Sequence, residues 1–259
     1  MENKVLKSSF CENNNETPLY KEIMGHFTAP KNLNYKSLSS SKKSYIIALN
    51  NNKEKFMSFV GILKLNDAVF AFSDRRNTEG GYKSLTKPDV RKLYHNENLI
   101  ITACGNSKII SIDNEEEDLD DVMLDFVEKN NCNLKSFIVK FKGLLNEKLC
   151  SSRFFFIAYD RTTYIFYKFE IQNGVYSLID ANDKGFVEGA PWLHELVIDY
   201  LYKYKLETHN ALMMERLFKE QISPMISFID NNTLFYSSVS PEFDILIDDT
   251  NIISTKTIK

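Results

Sequence analysis

Residues 58–105 read SFVGILKLNDAVFAFSDRRNTEGGYKSLTKPDVRKLYHNENLIITACG, and this stretch decides the fold. Residues 59–65 and 68–73 are apolar runs around Asn66-Asp67, a two-residue hairpin signal. Both runs are nearly continuous, which predicts strands buried on both faces. Residues 90–94 and 99–104 flank His95-Asn-Glu-Asn98 and predict a second hairpin that ends on Gly105.

Outward from there the period changes. Leu119, Val122, Met123, Phe126 and Val127 share one helical face, with Asp118, Asp120 and Asp121 in the first turn, where carboxylates suit the helix dipole. Leu134, Phe137, Ile138, Phe141, Leu144 and Leu145 mark a second helix. Strands return at 154–159, 164–171 and 175–179, the last two joined by Asn173-Gly174. Helices are expected at 192–204 and 209–222, and closing strands at 233–237 and 243–247. A short strand is also expected at 44–49. The run Glu115–Asp118 reads as a solvated helix start rather than a metal site.

Strands, two helices, strands, two helices and strands predict an α+β fold. Each helix pair has a sheet face to cover, which suggests a four-layer αββα sandwich. Residues 1–57 are expected as a polar N-terminal extension or propeptide-like segment, 58–250 as the domain and 251–259 as a C-terminal tail.

Composition narrows the function classes. With 259 residues, 43% apolar and 26% charged, the chain can bury a sizeable core. A net charge of −3 makes no electrostatic case for nucleic acid or an anionic membrane. Cys11, Cys104, Cys132 and Cys150 are scattered, which argues against a metal site or disulfide framework and points to a reducing cytoplasm. No apolar run reaches the ~18 residues of a membrane span. Residues 1–16 lack a signal peptide's apolar centre. Neither a metal nor a cofactor is expected.

Several residues together resemble the proteasome β subunits and the bacterial HslV peptidase, the N-terminal-nucleophile (Ntn) hydrolases. Ser58-Phe-Val-Gly-Ile-Leu resembles the family's first strand, which begins with the nucleophile. The segment 67–74 resembles the second strand with its terminal Asp. Arg76, Thr78 and Gly80-Gly81 match the turn Asp-x-Arg-x-Thr-x-Gly-Gly, and Val90-Arg-Lys-Leu-Tyr94 resembles the bacterial peptidase's third strand. Residues 102–105 resemble the strand end whose Gly supplies an oxyanion-hole N–H, and 187–192 resembles the segment that opens the third helix.

The resemblance implies Ser58, Asp74, Lys92 and Gly105 as catalytic positions and Arg76, Thr78 and Gly80 as substrate-binding ones. Aligned on 90–94, the family's lysine position falls on Asp89; Lys92 or Lys87 takes that role in a shifted register. The family's supporting Ser falls on Glu188. An N-terminal nucleophile needs a free α-amine as its base, with a pKa near ~7.7–8.0. Ser58 therefore requires the loss of residues 1–57, or a start at Met57 with that Met trimmed.

Three readings follow. The first is a divergent proteasome-like protein, non-catalytic or weakly catalytic, that acts through assembly into homo- or hetero-oligomers. The second is a self-processed amide or peptide hydrolase that uses Ser58. The third is an unrelated α+β binding module.

Overall fold

The computed structural model describes residues 58–79, 82–83, 89–189, 193, 210–231, 239–249 and 252–258. The N-terminal segment 1–57, the strands expected at 44–49 and 233–237, and Gly80, Gly81 and Lys87 lie outside the described residues. So does the helix expected at 192–204, apart from Leu193, which is helical and fully buried.

The fold is mixed α+β, and every described strand pair is antiparallel. In chain order the strands begin with β1 (Phe59–Lys64), β2 (Val69–Asp74), β3 (Thr78–Glu79), β4 (Tyr82–Lys83), β5 (Leu93–His95), β6 (Leu99–Gly105), β7 (Lys108–Ile110) and β8 (Glu116–Asp118). Helix α1 (Leu119–Met123) widens into a π turn, Leu124–Lys129, and α2 spans Leu134–Glu147. Next come β9 (Arg153–Asp160), β10 (Ile165–Gln172), β11 (Val175–Asn182) and β12 (Gly185–Gly189). Helix α3 (Ala211–Leu217) passes through a π turn, Phe218–Ile222, into α4 (Ser223–Asp230), and β13 (Phe243–Asp249) and β14 (Ile252–Ile258) close the chain. One sheet has the order β12-β1-β2-β13-β14 and the other β11-β10-β9-β6-β5.

Side-chain alternation divides the core. One cluster draws Val60, Ile62, Val69, Ala71 and Leu246 from the first sheet, and Leu93, Ile100, Cys104, Ile157, Tyr159 and Phe166 from the second. The alternate residues of the second sheet, among them Leu99, Ile101, Phe154, Phe156 and Phe169, pack on Val122, Met123, Phe137 and Phe141 of the helices. The alternate residues of the first sheet are aromatic and gather on Phe218: ring centroids lie 4.6 Å away for Phe72, 5.1 Å for Phe243, 5.7 Å for Phe70 and 6.4 Å for Phe59. Both faces of β1 and β2 are thus covered, which explains their unbroken apolar runs.

Local chemistry sets the joints. The Asn66-Asp67 turn closes with Leu65 N–H donating to the Ala68 carbonyl at 2.8 Å. Asp67 then accepts from the Ala211 amide at 3.0 Å, so the hairpin tip also caps α3. The Asn133 side chain caps α2 through the Ser136 amide at 2.9 Å.

The structure corrects several expectations. The first arm of the second hairpin is shorter than 90–94, because Val90 N–H donates to the Arg75 carbonyl at 2.8 Å and Asp89 bridges Arg76. Residues 89–92 therefore cross from one sheet toward the other before β5 begins. The acidic run 115–118 leads into α1, with Asp118 at its N-cap, but Glu116–Asp118 also forms a strand paired with Lys108–Ile110, and Lys108 bonds Glu116 across the ladder. Residues 185–189 form β12, paired with β1. Residues 252–258, expected in a tail, pair with β13 along their whole length. The helix expected to stop at Ile222 continues to Asp230. Pro224 cannot donate to a carbonyl in the preceding turn, and the π turn just before it absorbs the mismatch.

Truncating the shared ring tests this packing. Phe218→Ala should lower unfolding stability by about 3–5 kcal/mol. Phe228→Ala, at a side chain 57% exposed, should change it by under about 0.5 kcal/mol. Urea denaturation followed by circular dichroism reads both.

Candidate active site

Asp74 ends β2 and is wholly buried. Its Oδ1 accepts from the Phe59 amide at 2.7 Å, and its Oδ2 from the Arg76 amide at 3.0 Å and the Ser240 amide at 3.4 Å. Lys92 Nζ lies 3.0 Å from Oδ1 and 3.1 Å from Oδ2, and donates to the Arg76 carbonyl at 2.7 Å. An ammonium has three N–H groups, and these three oxygens surround it. Burying two charges is costly unless each is paired and hydrogen-bonded; here both conditions hold.

Among the described residues, Lys92 is the lysine that meets Asp74. Asp89 is exposed and forms a backbone bridge to Arg76. Lys92 ends the crossing segment, and its own carbonyl accepts from the Ala103 amide at 2.9 Å. The backbone is thereby anchored to β6 while the side chain reaches Asp74.

Ser58 immediately precedes β1 and is buried. It lies on the same strand face as Val60 and Ile62, toward the cluster between the sheets. The next residue, Phe59, supplies the amide that holds Asp74. Gly189 stands opposite Phe59 with φ +136°, and a Cβ there would lie 1.9 Å from the Ser58 carbonyl oxygen. Only glycine fits that conformation and that approach.

Gly105 ends β6, opposite Phe154, with φ +105°. Cys104 before it belongs to the inter-sheet cluster. Burial pushes the Cys104 thiol up to about 12; the Glu188 carboxylate adds to the rise, Lys92 and Lys168 oppose it, and Asp74 adds a smaller upward push. Four charges therefore converge on this end of the layer, and a thiol so held is a poor nucleophile. Arg76 enters the site through its backbone N–H and C=O, and its side chain is buried. Thr78 begins β3, paired with Lys83.

Sequence reasoning marked Glu188 as the family's serine position but missed its partner Lys168, and it missed Ser73, Thr102 and Ser240. The Ser73 and Thr102 hydroxyls are buried and have no hydrogen-bond partner among the described residues. Strand alternation could have found both, as polar residues at inward positions within VFAFSD and LIITACG. Among the described residues no three His, Cys, Asp or Glu side chains cluster as metal ligands, and no helix is long and apolar enough to cross a membrane.

No protein-family model matches this chain, and no curated protein matches it either.

Removing the lysine alone leaves a buried charge uncompensated, whereas removing the aspartate side chain also orphans the three amides that it holds. Lys92→Met leaves the Asp74 carboxylate uncompensated and should cost about 3–5 kcal/mol; adding Asp74→Asn, which removes the charge and keeps an acceptor for the amides, should restore part of that loss. A double-mutant cycle in urea measures the difference.

Proposed function

We propose that this chain is a divergent Ntn-type amide hydrolase, built as a four-layer αββα sandwich, with Ser58 as its nucleophile once its amine is free. The observation that carries this reading is the buried Lys92–Asp74 pair, bonded to the amide directly after Ser58. The layering is supported by the core: one cluster shared by both sheets, and a separate helix-facing cluster on each sheet's other face.

The chemistry follows from these positions. The Ser58 hydroxyl attacks an amide carbonyl, and its α-amine takes the proton. That proton passes to the departing amine as the C–N bond breaks, leaving an ester on Ser58. Water then hydrolyses the ester, with the α-amine again as base. The Lys92 charge favours the serine alkoxide as it develops, and Asp74 holds Lys92 in place. The Gly105 N–H is the donor assigned to the oxyanion.

A second reading is a non-catalytic assembly protein. It is favoured by β11, an edge strand with Val175 61%, Leu178 52% and Ile179 45% exposed; apolar residues on an open edge suit pairing with another chain.

Intact mass spectrometry of protein purified from its native host separates the readings. The hydrolase reading expects a species that begins at Ser58 and gains the mass of an acylating probe, with the label lost in Ser58→Ala. Full-length chain that stays inert to the probe sinks it. The assembly reading expects oligomers by analytical ultracentrifugation at micromolar concentration, and monomer alone counts against it.

A further inference from the structure

Beyond Asp74 and Lys92, two more charges stand at the polar end of the inter-sheet layer. Lys168 of β10 bonds Glu188 of β12 across it. Glu188 is in register with Val60, and the next pair along is Gly189 with Phe59. Cross-strand partners share a face and alternation returns to that face two residues on, so Glu188, Val60 and Ser58 lie on one side of the sheet. Diagonal neighbours of this kind are ~7–8 Å apart, within reach of a long side chain. Lys168 stands opposite Ile157 on the facing sheet, and Ile157 belongs to the inter-sheet cluster. Both members of the pair are 24% exposed, so water screens them less than it does a surface pair.

The resemblance puts a serine, a neutral hydroxyl, where Glu188 stands. A carboxylate acts differently on a neighbouring amine: it favours the ammonium, the form that cannot accept a proton. A cation beside that carboxylate works in the opposite direction.

We propose that the Lys168–Glu188 pair sets the proton affinity of the Ser58 α-amine, and through it the pH at which the nucleophile becomes competent. The inference rests on reading Ser58 as an N-terminal nucleophile. Glu188 and Lys168 are positioning residues in this scheme: they act on the amine and touch no substrate. The other charges facing the same space are Lys92, which opposes protonation of the amine, and Asp74, which favours it. Arg153 and Glu170, farther along the facing sheet, bond each other. The fixed pair Lys92–Asp74 thus holds the nucleophile's surroundings, while the second, more exposed pair adjusts its base.

The test uses the full chain carrying a site-specific protease sequence directly before Ser58. The protein is folded intact and then cut so that Ser58 becomes the terminus. In protein labelled with 13C-serine, the Ser58 Cα resonance follows titration of its amine. Glu188→Gln should move the midpoint to lower pH and Lys168→Met to higher pH, each by about half to one pH unit, with the double variant between them. Glu188→Ser should repeat the downward shift if the Gln variant fails to fold, and Lys168→Arg should leave the midpoint near that of the parent chain. The acidic limb of amide hydrolysis should move with the midpoints. Coincident midpoints in all these proteins overturn the inference. Midpoints that move as expected, in proteins that hydrolyse nothing, defeat the hydrolase reading and leave the electrostatic coupling standing.

Discussion

A buried carboxylate must be answered on every side, and in this fold Asp74 is answered by four separate pieces of chain. The amides of Phe59, Arg76 and Ser240 and the ammonium of Lys92 all converge on it. They come from the first strand, the turn after the second, the loop before β13 and the segment that crosses between the sheets. Hydrogen bonds to a charged group are each worth more than neutral ones, about 1.5–3 kcal/mol, and here they offset a desolvation cost of several kcal/mol per ion. The geometry of the candidate site and the closure of the first sheet are consequently one problem with one solution.

The layer between the sheets has two characters. At one end it is closed by Ile62, Val69, Ala71, Tyr159, Phe166 and Leu246. At the other, the same inward positions carry Ser58, Ser73, Thr102, Lys168 and Glu188. Nothing in strand geometry demands that change; a continuous apolar filling would be simpler and more stable. Polar groups thus gather at one end of an otherwise apolar layer, two of them hydroxyls without partners among the described residues.

Much of this was legible in the sequence, and the exceptions have physical causes. The hairpin at 59–74, the helices at 119–129 and 134–147 and the strands at 153–182 follow from period and turn chemistry. Asp74 and Gly105 were visible because each ends an apolar run. Lys92 was harder to place because 90–94 looks like one strand, whereas its first residues leave the ladder to meet Arg75 and Arg76. Strand β14 hid because an exposed edge tolerates Ser, Thr and Lys. Strand β8 hid because it is acidic throughout, and Glu116 and Glu117 are paired with Lys108 and Lys148 rather than buried in a core. The pair Lys168–Glu188 joins two different sheets, and no local pattern encodes such a contact.

Phe59 has two attachments at once. Its amide holds Asp74, and its ring leans on Phe218 within the aromatic cluster over the first sheet. The Asp74–Lys92 pair therefore cannot be hydrated by fraying at a strand end, because releasing that amide means withdrawing a ring from a packed layer. Amides guarded in this way exchange with solvent only through large cooperative openings. The centre of the candidate site is in this way tied to the aromatic packing over the first sheet.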